Sequence, residues 1–174
     1  MQVQDSAARL DTPADLHKRP VLILGAGGVA RAIAHALHHA GCNLWIASRT
    51  YERAAKLARE VSGEALDWLA RHKEGCDIVI NCTPVGMHPN VDESPIHAGF
   101  LRPGMHVFDT VYTPETTLLV KEARARGCLV TTGVDMFIRQ AGMQFQLFTG
   151  REPPLELMAK TLRRALSPVH LHDE

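Results

Sequence analysis

The chain has 174 residues, 45% of them hydrophobic, and its 19 Lys and Arg balance 19 Asp and Glu, so the formal net charge is zero with His neutral. That is one domain of ordinary size with enough apolar residues for a substantial core. No global basic field points to nucleic acid, no acidic excess points to disorder, and no apolar run is long enough to span a bilayer.

Met1 to Arg19 is polar, with little periodicity and no apolar core of the signal-peptide kind. It reads as a linker or the tail of a preceding segment, with the domain proper over 20–174 and a cytoplasmic location expected. Val21 to Leu24 is an apolar run that suits a strand buried on both faces. A glycine turn follows, then a helix to about Ala40 whose apolar residues Val29, Ile33, Leu37 and Ala40 share one face. Gly41 is placed to stop it.

Asn43 to Ser48 predicts the second strand. Thr50 predicts the N-cap of a helix through about Val61, with Ala54, Leu57, Ala58 and Val61 facing inward. A short strand near Ala65 and a turn or two of helix carrying Trp68 and Leu69 come next. Asp77 to Cys82 is a further strand. Thr83 to Phe100, with three prolines and two glycines, reads as a long structured loop of the kind that carries function.

Met105 to Thr110 predicts another strand, and Pro114 a helix start, with Gly127 ending that helix. Cys128 to Thr131 is a last short strand. Val134 to Phe148 and Pro154 to Leu166 are closing helices, the first with a stripe of Phe137, Ala141, Phe145 and Phe148 expected to pack in the core. Strands alternating with helices imply an α/β fold: a Rossmann-type, doubly wound parallel sheet with helices on both faces. Its ligand crevice then lies at the carboxyl ends of the strands. Those ends are the glycine turn, Ser48-Arg49, Cys82-Thr83 and Asp109-Thr110.

The four cysteines form no Cys-x-x-Cys pair and read as small buried apolar residues. His35 and His39 lie one helical turn apart, but no carboxylate or cysteine completes a ligand set, so no metal is expected. Gly25-Ala26-Gly27-Gly28-Val29-Ala30 has the Gly-x-Gly-x-x-Ala spacing of a dinucleotide site, in the strand–turn–helix context such a site needs. Free amides at the helix start suit a pyrophosphate. An NAD site usually places Asp or Glu at the end of the second strand. Here Ser48-Arg49-Thr50 stands there, with Arg53 one turn further and Lys56 beyond. A guanidinium holds a 2′-phosphate that a carboxylate would repel, so NADP is the expected cofactor.

The chain resembles the NADP-binding domain of the shikimate dehydrogenase family from about Val21 to Leu166. Ser48 to Ala54 resembles the family's Asn-Arg-Thr-x-x-Arg-Ala signature, and Ile80 to Met87 its Ile-Asn-Ala-Thr-x-x-Gly-Met loop. Asp109, Tyr112, Pro114 and Thr117 match Asp-x-x-Tyr-x-Pro-x-x-Thr. Gly133, Met136 and Gln140 match the closing Gly-x-x-Met-x-x-x-Gln helix. The glycine turn and the arginine signature are shared with relatives such as glutamyl-tRNA reductases. The last two motifs are more specific.

The resemblance implies that Gly25, Ala26, Gly27, Gly28, Val29 and Ala30 hold the pyrophosphate and that Arg49 and Arg53, with Ser48 and Thr50, hold the 2′-phosphate. It implies Thr83 and Val85 on the adenosine-ribose side, Thr110 and Gly133 facing the nicotinamide, and Met136 packing on it. Tyr112 and Gln140 are then expected to reach the hydroxyls of shikimate or 3-dehydroshikimate. The wording around Tyr51-Glu52-Arg53 and His88 to Pro95 is closest to the bifunctional form, in which a dehydroquinate dehydratase precedes the dehydrogenase.

The family takes its proton donor from a Lys and Asp pair in an N-terminal substrate domain. That pair is not found before Val21, and Lys18 and Asp15 fall in the linker. The chain is therefore expected to bind NADP without turning over alone. It is also expected to expose apolar surface and self-associate. Two other readings stay open here: an NAD-preferring quinate/shikimate dehydrogenase, and a catalytically silent NADP-binding module.

Overall fold

The computed structural model describes residues 16–166. Its strands are β1 (Pro20–Leu24), β2 (Asn43–Ser48), β3 (Glu64–Asp67), β4 (Ile78–Asn81), β5 (His106–Asp109) and β6 (Leu129–Thr131). They pair in parallel in the order β3-β2-β1-β4-β5-β6. The helices are α1 (Gly28–His39), α2 (Tyr51–Glu60), α3 (Leu118–Ala125), α4 (Gly133–Thr149) and α5 (Leu155–Leu166). The strand order reverses between β1 and β4, which is where a doubly wound sheet opens its crevice.

β1 is central and dry because its side chains are apolar on both faces. Val21 and Ile23 join one core with α1 and α2, whereas Leu22 and Leu24 join a second core. That second core has no helix from the β3–β4 crossover. A single 3-10 turn, Trp68–Ala70, stands there, and Ile96 and Leu101 from the long loop after β4 are buried in its place. The loop is therefore structural as well as long.

Residues 1–15, most of the expected linker, lie outside the described residues. Leu16 to Arg19 is docked on the domain: the Lys18 amide donates to the Gly41 carbonyl at 2.8 Å, and Leu16 packs on the first core.

Three expectations need correction. Pro114 does not open a helix: α3 starts at Leu118, capped by Thr117, whose hydroxyl accepts from the Val120 amide at 3.2 Å. The buried hydroxyl outweighs the proline signal because it also serves Asp109. The α4 stripe is not core. Phe137 is 43% and Phe148 83% exposed, and the inward side is Val134, Ile138 and Gly142. The helix outlasts the sheet, and its second half packs on α5. On α1 the inward face is Ala30 and Ala34 flanked by Ile33 and Leu37, so Val29 is left 48% exposed.

The cysteines are all free. Cys42 and Cys76 are buried, Cys82 and Cys128 partly buried. Burial pushes the Cys76 thiol up to about 11 and Cys82 up to about 12. His39 Nδ1 donates to the His35 carbonyl at 2.7 Å, while His35 faces Glu60 at 3.5 Å, so both serve the helix surface.

Candidate cofactor site

The crevice begins at the end of β1. Gly25 turns the chain with φ +109°, and a Cβ there would lie 2.8 Å from the Cys82 carbonyl oxygen, so a side chain is excluded twice over. Gly27 and Gly28 differ: a Cβ on either meets nothing within 4 Å. Protein packing does not require glycine there, and the space beside them is open. Gly27 caps α1 without a side-chain hydrogen bond, and the first turn holds no acidic residue. Its amides and the positive end of the helix dipole are left for an anion. Val29 stands exposed beside them.

At the end of β2, the Thr50 amide donates to Ser48 Oγ at 3.3 Å. This fixes the turn into α2. Thr50 occupies the N-cap position, but its hydroxyl makes no cap bond. Arg49, Thr50 and Arg53 are exposed. Among the described residues, neither arginine has an ion-pair partner. The turn thus presents two uncommitted guanidinium groups and a hydroxyl at the start of a second helix, and no carboxylate precedes them.

The ends of β4 and β5 are built differently. Asn81 and Asp109 are fully buried. The Asn81 side-chain amide donates to Asp109 Oδ1 at 3.0 Å and to the Val85 carbonyl at 3.2 Å. Its Oδ1 accepts from the Thr83 amide at 3.0 Å and the Thr83 hydroxyl at 2.6 Å. Asp109 also accepts from the Val111 amide at 3.1 Å and the Thr117 hydroxyl at 2.6 Å. Burial pushes the Asp109 carboxyl up, and the bonds from Thr117, Val111 and Asn81 pull it back down. The Asn81 carbonyl accepts from the Thr110 amide at 3.0 Å and its hydroxyl at 2.8 Å.

Every polar group in this cluster has a partner, so the cluster is rigid. It carries the walls of a cavity of about 240 Å³ lined by Cys82, Thr83, Pro84, Met87 and Thr110 to Thr113. A larger open depression, about 800 Å³ with His72, His97 and Arg102 in its lining, lies before β4 and β5, at the opposite edge of the sheet. The strand-end rule assigns the ligand to the smaller one.

α4 closes the far side. A capping box holds its start: Thr132 Oγ accepts from the Asp135 amide at 3.2 Å, and Asp135 Oδ2 accepts from the Thr132 amide at 3.2 Å. A Cβ on Gly133 would sit 2.4 Å from the Val111 carbonyl oxygen, so the first turn of α4 is pressed against the Thr110–Val111 backbone. This contact alone explains the glycine. Met136 is half-buried in the same turn. Tyr112 is 46% exposed and its ring lies 5.8 Å from that of Phe137. Gln140, one turn beyond Phe137, is exposed.

The structure therefore gathers the expected residues into three stations along one strand-end edge. The glycine turn is in the middle. Ser48, Arg49, Thr50 and Arg53 lie on the β2 side, and Thr83, Val85, Thr110, Tyr112 and Gly133 on the other, with Met136 and exposed Gln140 following Gly133 along α4. The sequence reading gave no role to Asn81 or Thr117. Their signal was present: Asn81 and Asp109 are polar residues at the ends of otherwise apolar strands.

The family model described as Shikimate / quinate 5-dehydrogenase matches residues 6–100, and that described as Shikimate 5'-dehydrogenase C-terminal domain matches 133–163. The chain belongs to the shikimate/quinate 5-dehydrogenase family. It is 42% identical over 168 residues to a shikimate dehydrogenase (NADP(+)) of Methanosarcina mazei, covering 91% of this chain and 60% of that one. It is 43% identical over 145 residues to the chloroplastic bifunctional 3-dehydroquinate dehydratase/shikimate dehydrogenase of Arabidopsis thaliana, covering 82% of this chain and 24% of that one. A crystal structure of a shikimate dehydrogenase in complex with NADP+ superposes with a TM-score of 0.78 at 34% identity, over 87% of this chain and 56% of that one. The chain thus spans a little over half the length of the monofunctional relatives it matches.

Proposed function

We propose that this chain is the NADP(H)-binding part of an oxidoreductase that interconverts 3-dehydroshikimate and shikimate, a step toward the aromatic amino acids. The observation that carries the cofactor reading is the pairing of an uncapped α1 start beside open space with the unpaired Arg49 and Arg53 at the end of β2. The α1 amides suit the pyrophosphate, and the two guanidinium groups suit a 2′-phosphate. The substrate reading rests on relatives named for shikimate dehydrogenase.

The cofactor's chemistry is hydride exchange between its nicotinamide ring and the carbon that bears the substrate oxygen. The chain's own residues bind and orient. Ser48 and Thr50 shape the turn that presents the arginines, and Thr83 and Val85 line the adenosine-ribose side. Thr110, Gly133 and Met136 form the nicotinamide wall, and Tyr112 and Gln140 face the substrate hydroxyls. A ketone reduction also needs a proton donor at the oxygen. Asp109 has three hydrogen-bond donors inside the fold and holds the wall. The reading therefore assigns the donor to the part of the relatives' length that this chain does not cover.

That part would cover the apolar side of Tyr112, Phe137, Met143, Leu147 and Phe148, and without it the chain self-associates through this face. A cytoplasmic site of action is part of the same reading, supported by four unpaired thiols among the described residues. The test is titration calorimetry with NADP+ together with an absorbance assay of shikimate oxidation. Saturable NADP+ binding without turnover is expected. Absence of binding defeats the cofactor reading, and clear turnover defeats the divided active site.

A further inference from the structure

Thr117 is fully buried and eight residues beyond Asp109, and no cofactor role falls to it from its place in the chain. Its hydroxyl is nonetheless the far end of the hydrogen-bonded chain that reaches the crevice. It donates to Asp109 Oδ2 at 2.6 Å while accepting from the Val120 amide at 3.2 Å. Asp109 Oδ1 then holds the Val111 amide and Asn81, and Asn81 holds both Thr83 and Thr110. A Cβ on Gly86, at φ +91°, would meet the Thr117 side chain at 3.4 Å, so the loop after β4 also rests on this residue.

We propose that Thr117 is a positioning residue for the nicotinamide half of the cofactor. It fixes the separation of the two cavity walls at the ends of β4 and β5 without touching the ligand. The inference rests on the NADP reading above. It differs from ordinary core packing in one respect. The cluster lies on the β4–β5 side of the glycine turn, and it is not linked by any hydrogen bond among the described residues to the Ser48–Arg53 turn. Thr83 and Val85, on the adenosine-ribose side, also hang on Asn81. At the nicotinamide wall, Thr110 is tied to Asn81 and Val111 to Asp109, which takes the Thr117 bond directly. Loss of the Thr117 hydroxyl must therefore cost NADP+ more than a ligand without the nicotinamide.

Thr117→Val keeps the shape under Gly86 and removes the hydroxyl, leaving Asp109 Oδ2 without its donor. Thr117→Ser keeps the hydroxyl. Both are titrated with NADP+ and with adenosine 2′,5′-bisphosphate, which carries only the 2′-phosphate half. The expected result is NADP+ binding weakened about tenfold in T117V, as for one buried hydrogen bond to a charged group. Bisphosphate binding falls by a clearly smaller factor, and T117S restores NADP+ affinity. Unchanged NADP+ affinity in T117V, or equal loss of both ligands, overturns the inference. If the unsubstituted protein binds neither ligand, the cofactor reading itself has failed. Should T117V not fold, Thr117→Ala takes its place under the same two outcomes, since it also removes the hydroxyl that Asp109 accepts from.

Discussion

The two flanks of the glycine turn solve the same problem by opposite means. On the β2 side, Arg49 and Arg53 are exposed and unpaired, held only by the turn that Ser48 fixes. On the β4–β5 side, Asn81, Asp109 and Thr117 are buried and saturated with partners, and none of them is open to the crevice. A charged phosphate can be recognised by mobile cations, because the attraction is strong and tolerant of geometry. A neutral ring that must present one face to a substrate needs walls set by rigid contacts. Charge gives selectivity on one flank, and packing gives orientation on the other.

Gly133→Ala is expected to have the largest effect and to act on the rigid flank. Its Cβ would overlap the Val111 carbonyl at 2.4 Å, and both partners are backbone. The start of α4 must then leave the Thr110–Val111 wall. A loss of about 3 kcal/mol or more in urea unfolding is expected, in the upper range for overpacking. Full stability in this variant would show that the wall is looser than described.

Arg49→Ala sits on the other flank and must separate binding from stability. NADP+ affinity should fall about 10- to 100-fold by calorimetry, the worth of charge-assisted hydrogen bonds. The unfolding midpoint should stay within about 0.5 kcal/mol of the unsubstituted chain, as for other surface substitutions. An equal loss of NAD+ affinity would mean that Arg49 does not select the 2′-phosphate.

Acid should act away from the cofactor edge, at the amino ends of β4 and β5. Burial pushes His106 below the usual histidine range, and His72 moves the same way by burial, with Arg71 and His97 adding to it. Each binds its proton less readily when folded than when unfolded, so as the pH falls through the usual histidine range the unfolded chain takes up more protons than the folded one. Stability is fully present above that range and falls as the pH drops toward the lowered folded values, by at most about 1.4 kcal/mol per pH unit for each proton. Unfolding curves from pH 7.5 to 5.5 read it, and His106→Gln should flatten the slope. The smallest effect belongs to Arg163→Ala. This exposed residue bridges Glu115 at 3.0 Å and Asp135 at 3.5 Å, and its loss should cost less than about 1 kcal/mol.

The chemistry of the arginine flank was readable from residue type alone, whereas the buried flank was legible as motifs and not as a hydrogen-bonded cluster. Gly25 to Ala30 and Ser48 to Arg53 are contiguous segments whose chemistry follows from residue type and from the strand end each occupies. The strands were legible for the same reason: β1 and β2 are apolar runs of the right length. The Asn81–Asp109–Thr117 cluster forms only when β4 pairs with β5, so the motifs mark its residues but not the hydrogen bonds that join them. Thr117 illustrates the failure. Pro114 carries the stronger local helix-start signal, but the buried Asp109 carboxylate, which accepts from the Thr117 hydroxyl, decides where α3 begins. The α4 stripe failed because periodicity identifies a face and not what covers it. Phe137 and Phe148 lie on a side that this chain leaves open.

The most direct test of the central claim is the affinity of this one chain for NADP+ against NAD+, by titration at fixed ionic strength. Two unpaired arginines at the end of β2, with no carboxylate there, predict NADP+ binding at least about tenfold tighter, the worth of one charge-assisted contact to the 2′-phosphate. Equal affinities, or tighter binding of NAD+, would contradict the account.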